Sequence, residues 1–298
     1  MSILIILIAT LIFYLPVFIK PEIFLARHND LTEFFWPIYH FVKNQIITGH
    51  QIPLWNSLFL SGTPLLPDPQ SPLFYLPNVI YLFVPIGAGF ILSSFLHTFA
   101  GGIGAYLLAK ELKFSKLAAV ATSVFYLASP KLAGFIEAGH VGLINSLAWI
   151  PFVFLFTVLI VKKPKLKYSI GLSVFLALIF FSHTAIFLYA LGAVTLLLIA
   201  NRKFLFLGLT LLFTFGLTAV SLLPQLEWQN QTTRQLLLND RDTYPKWLGK
   251  KEFIKALILP SFYGKNFIRG LDSEKWIAVG TVLAFLSFLG FLKLKRRH

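Results

Sequence analysis

Apolar residues run along this chain in long blocks, separated by short lysine-rich breaks and by two longer polar stretches. Blocks of near-spanning length that recur from end to end predict an all-α, polytopic transmembrane helical bundle forming a single domain over residues 1–298. The pattern places spans at 2–19, 87–109, 115–130, 140–161, 168–182, 184–200, 203–223 and 276–292, which puts both termini on one side. Residues 168–200 are nearly all apolar. As one helix they would reach about 50 Å at about 1.5 Å per residue, too long for a hydrocarbon core of about 30 Å. Two helices turning near Ser182-His183-Thr184 are therefore expected, with the turn shielded by protein in the outer leaflet. Residues 73–109 need a single crossing, so 73–85 is expected to be an interfacial or re-entrant helix delimited by Pro77 and Pro85.

Composition and charge sharpen this picture. Hydrophobic residues make up 57% of the chain and charged residues 13%, with a mean hydropathy of +0.76, outside the range of a soluble domain. The net charge of +14 raises the question of nucleic acid, but its placement answers it. Segments 110–116, 162–167, 201–203 and the C-terminal tail hold thirteen basic residues against one acid, Glu111. Such asymmetry orients helices in a membrane, with these segments and both termini cytoplasmic, and it leaves no basic patch for nucleic acid. Residues 2–19 lack a basic region before them and a small-residue cleavage site after them, so they read as a retained span of a plasma-membrane protein. With no cysteine, disulfides, thiol chemistry and cysteine-zinc sites are excluded.

The two polar stretches, 20–72 and 224–275, are expected outside the cell membrane and carry the candidate chemistry. Asp30 and Glu33 sit three apart, on one face of a helix, where a carboxylate at the membrane surface can act as a general base. The same spacing also describes a capping box, with Asp30 as cap and Glu33 reaching back to it. His28, His140 and His183 map to the same side, and EAGH at 137–140 adds Glu137 beside His140. With Asp30 they offer ligands for a phosphate or a divalent cation, although no paired-histidine spacing supports a metal. Arg27, Lys131, Arg234 and Arg241 are outer cations that suit a phosphate or lipid headgroups. Trp36, Trp55, Trp149, Trp228 and Trp247 suit either stacking on sugars or an interfacial aromatic belt.

A first span, an outer loop with an acid near its start, Gly49 followed by Pro53-Leu54-Trp55-Asn56, and Gly62-Thr63-Pro64 together resemble the YfhO-like branch of the GT-C membrane glycosyltransferases. AGH at 138–140, AWIP at 148–151 and LLPQLEW at 222–228 with Arg234 nearby are similar to later landmarks of that branch. The chain is shorter than members of that branch, so it reads as a short or truncated one. The resemblance implies an inverting enzyme that takes a sugar from a polyprenyl-phosphate donor on the extracytoplasmic side. It implies Asp30 as catalytic base, with Arg27, His140 and Arg234 on the donor phosphate. His28, Glu33, Trp55, Asn56, Glu137 and His183 would surround them. The cofactor stays open, a divalent cation being one option, and the partners implied are the lipid-linked donor and membrane lipids. The alternatives are a non-catalytic lipid-binding remnant and a transporter or flippase of lipid-linked sugars. The transporter predicts ionisable groups inside the spans, whereas those groups are read here as confined to loops and span ends.

Overall fold

The computed structural model describes residues 1–25, 28–59 and 61–232. Within them the chain is helical: α1 Ser2–Ile19, α2 Glu22–Leu25, α3 Trp36–Ile47, α4 Ile86–Glu111, α5 Lys116–Leu127, α6 Pro130–Ala138, α7 Val141–Lys162, α8 Leu166–Ser182, α9 Thr184–Ala200 and α10 Phe204–Trp228. A π-helical turn at Leu31–Phe35 leads into α3, and a 3-10 helix at Leu76–Leu82 precedes α4. Between them lies a small antiparallel hairpin of β1 Trp55–Asn56 and β2 Thr63–Pro64, in which Trp55 opposes Pro64. Five helical segments among the described residues are long and apolar enough to cross a membrane: 2–19, 86–111, 116–138, 141–162 and 204–231. Helices α8 and α9 are apolar but shorter. The span expected at 276–292 lies outside the described residues.

Packing follows from which face of each apolar helix is small or polar. On α1, Ile6, Thr10, Tyr14 and Val17 are buried at helical spacing, while Ile8, Ile12 and Leu15 remain exposed. An apolar residue on the outward face as well as the inward one is what a hydrocarbon solvent requires. The Tyr14 hydroxyl meets Ser94 Oγ at 2.6 Å and Thr98 Oγ1 at 2.9 Å, which fixes α1 on α4. Helix α4 then packs on α7, where Gly101 leaves only 3.2 Å between its missing Cβ and the Ala148 Cα. Small residues allow such approach, and close van der Waals contact replaces the hydrophobic drive that lipid removes. Ser173 on α8 donates to the Thr210 carbonyl of α10 at 3.0 Å, and Lys162 at the end of α7 pairs with Glu111 at the end of α4 at 3.0 Å. That pair joins the single acid of the basic segments to one of their lysines.

The structure departs from the sequence reading in three places. The stretch 20–72 is a packed cap rather than a loop. Its Phe24, Leu31, Phe35 and Tyr39 are buried with Tyr14, Phe90, Leu132 and Val141 in one cluster over the ends of α1, α4, α6 and α7. The helix expected across 73–85 is a single 3-10 segment in which Pro77 occupies the first turn instead of ending it. The span expected at 115–130 continues to Ala138, because Pro130 opens α6 and the Ser129 hydroxyl accepts the Leu132 amide at 3.3 Å. A proline lacks the donor that a helix interior needs, but at a first turn that donor is unused anyway. The break between α8 and α9 falls at His183, as the length argument requires.

Candidate functional site

The candidate site forms where two distant turns meet. Helix α6 ends at Gly139, whose backbone is left-handed at φ +74°, and His140 then opens α7. Against this reversal lies the turn at 29–31. Asn29 donates from Nδ2 to the Glu137 carbonyl at 3.0 Å and accepts the Thr32 amide on Oδ1 at 3.3 Å. Asn29 therefore caps the π-helical turn, and Asp30 makes no side-chain cap. The capping-box reading of Asp30 and Glu33 is corrected on this point. An amide side chain can hold both turns at once, since it donates and accepts, whereas a carboxylate can only accept. Released from capping, Asp30 pairs through Oδ2 with His140 Nδ1 at 3.0 Å. A carboxylate can only accept, so Nδ1 carries the proton in this pair. The His140 side chain is 18% exposed and that of Asp30 is 56% exposed, which leaves the acid open to solvent.

The surrounding residues divide clearly. His28 and Glu33 pair with one another at 3.3 Å, both highly exposed, an arrangement that salt and solvent weaken. His183 lies in the extended turn between α8 and α9 and accepts the Ile186 amide on Nδ1 at 3.4 Å, so it caps α9. With Nδ1 accepting an amide, the ring proton sits on Nε2. Asn56 is buried and accepts the Leu58 amide at 3.0 Å, which makes it a turn residue of the hairpin. Trp55 stands on the same hairpin, half-exposed. Arg27 and Arg234 lie outside the described residues. Among the described residues, no three His, Asp or Glu side chains converge to hold a metal ion.

The sequence reading missed His97, which is buried in the middle of α4. Its Nδ1 lies 2.7 Å from the Ser93 carbonyl, so Nδ1 carries the proton and Nε2 accepts from the Tyr75 hydroxyl at 2.5 Å. The Tyr75 oxygen in turn accepts from Trp149 Nε1 at 2.7 Å. Trp149 thus spends its polar handle inside the bundle, which removes it from the stacking candidates. The signal was available, since an ionisable residue inside an apolar span marks a polar contact worth placing. Tyr75→Phe leaves both the imidazole nitrogen and the indole N–H unpaired. The expected cost is about 1–2 kcal/mol, read as a lower unfolding midpoint in detergent. An unchanged midpoint would show that the three side chains do not hold the 3-10 segment to α4 and α7.

Asp68, in the PDPQSP stretch, is half-buried and accepts the Gln70 amide on Oδ1 at 2.8 Å. Burial raises its carboxyl above the ordinary 3.8, against the lowering effect of that amide. The folded chain then holds this proton more tightly than the unfolded chain. Over the window from 3.8 up to the raised value, stability falls as pH rises. Asp68→Asn keeps the acceptor for Gln70 and removes the charge. The variant is expected to unfold at a higher temperature than wild type at pH 7, with the gap closing as pH approaches 3.8. A gap that is the same at both pH values contradicts this account.

Comparison with family models, with curated proteins and with solved structures finds no match to the chain.

Proposed function

We propose that this helical protein is a membrane glycosyltransferase of the GT-C type, moving a sugar from a polyprenyl-phosphate donor to an acceptor hydroxyl with inversion. The observation that carries the reading is the Asp30–His140 pair, which two segments 110 residues apart assemble at one end of an apolar bundle. In the proposed step Asp30 takes the proton of the acceptor hydroxyl, and the oxygen attacks the anomeric carbon. The bond to the donor phosphate breaks with its electron pair on the leaving oxygen, so polyprenyl phosphate departs without needing a general acid. His140 holds the carboxylate through Nδ1 and, with Arg27 and Arg234, belongs to the donor-phosphate side. In this proposal the chain crosses the plasma membrane eight times with both termini cytoplasmic, and the site faces outward.

The test supplies membranes holding the protein with radiolabelled polyprenyl-phosphate sugars and follows release of polyprenyl phosphate and transfer of label. Donor consumption that depends on the protein is expected. Binding of the donor with no consumption would sink the transferase and leave a lipid-binding protein. A second reading, a transporter or flippase of lipid-linked sugars, is favoured by one observation, the imidazole of His97 inside α4. It predicts movement of intact donor across vesicles with no label transferred.

A further inference from the structure

A cavity of about 770 Å³ opens between the β1–β2 hairpin with the segment after it and the outer ends of α9 and α10. That volume is typical of small-molecule sites, which run from about 300 to 1,000 Å³. We propose that it is a saccharide subsite, in which a sugar ring stacks on Trp55 and directs hydroxyls to Asp68 and Gln225. The assignment deepens the transferase reading and rests on it for the origin of the sugar.

Trp55 is built to offer a ring. Gly62, left-handed at φ +111°, lies against its Nε1, Cε2 and Cζ2 atoms, and a Cβ there would stand 2.8 Å from Nε1. Bare backbone thus supports the indole, and the side chain is still 53% exposed. Among the described residues, the polar groups around the cavity are under-used. Asp68 spends Oδ1 on Gln70 and keeps Oδ2. Gln225 donates from Nε2 to Ser221 Oγ at 2.9 Å, and Ser221 donates to the Leu66 carbonyl at 3.3 Å, which orients the Gln225 amide and leaves its Oε1. The remaining Asp68 and Gln225 oxygens can accept from a ligand rich in hydroxyl groups, whereas a hydrocarbon tail would offer them no donor. Charge narrows the choice further. Among the described residues the lining includes a carboxylate and no lysine or arginine, which suits a neutral polyhydroxyl group over a phosphate. Its location fits as well, since Thr184 directly follows His183, which neighbours His140 of the Asp30 pair.

The experiment uses the full chain in detergent and equilibrium dialysis against radiolabelled free hexoses, short-chain prenyl-phosphate hexoses and prenyl phosphate alone. Saturable binding of a sugar-bearing member is expected, weakened about tenfold or more by Trp55→Ala and partly restored by Trp55→Phe. Asp68→Asn is expected to weaken the same binding while the protein stays folded. Binding of free hexoses places the acceptor in the cavity, and binding confined to the prenyl-phosphate hexoses places the donor sugar there. Three binding results overturn the proposal: no saturable sugar binding, binding indifferent to Trp55→Ala, or equal Trp55 dependence for prenyl phosphate alone. Trp55-dependent binding without turnover keeps the subsite and removes the transferase. Turnover with a KM untouched by Trp55→Ala keeps the transferase and removes the subsite.

Discussion

Asp30→Asn is expected to lower donor turnover by about 10²–10⁴-fold while the protein stays folded. The substitution is nearly isosteric, and an asparagine oxygen still accepts the His140 N–H that now pairs with Asp30 at 3.0 Å. What it removes is the ability to take a proton from an attacking hydroxyl. The side chain is 56% exposed, so its pairing contributes little to stability, less than about 1 kcal/mol. Rate and fold are therefore separable at this residue. Turnover in the variant within a few-fold of wild type, measured with the same labelled donor, would remove Asp30 as the base.

Gly139→Ala tests the same geometry without touching either partner. At φ +74° an alanine is strained by about 1–2 kcal/mol. Its Cβ would also stand 2.5 Å from the Leu31 backbone nitrogen and 2.9 Å from Asn29 Cγ. A backbone atom cannot rotate away, so the 29–31 turn must move as a unit and carry Asp30 off His140. The expected loss is about 2–4 kcal/mol of stability, because strain and collision add at one site. Turnover of the folded fraction should fall by about 10²-fold, the effect of misplacing a reacting group by about 1 Å. Equal turnover per folded molecule would show that the contact between the two turns does not position the acid.

The sequence by itself determined the helical class, with segments long and apolar enough to cross a membrane. Runs of about 17–26 apolar residues can satisfy their backbone in lipid only as helices. It also set the His183 break, because a 33-residue apolar helix is longer than the hydrocarbon core, and α8 and α9 each end there. The tertiary structure decided what the candidate site residues do. Asn29, not Asp30, is the cap, because only a side chain that both donates and accepts can bind the Thr32 amide and the Glu137 carbonyl together. Asn56 became a turn residue, and Trp149 a buried donor to Tyr75. The pairing of Asp30 with His140, and the gathering of Trp55, Asp68 and Thr184 around one cavity, join parts of the chain that no local spacing connects. Period and length act over a few turns of helix and are written along the chain. Contacts between distant turns depend on how whole helices pack, and that packing is fixed by small residues such as Gly101 and Gly139 only once their neighbours are in place.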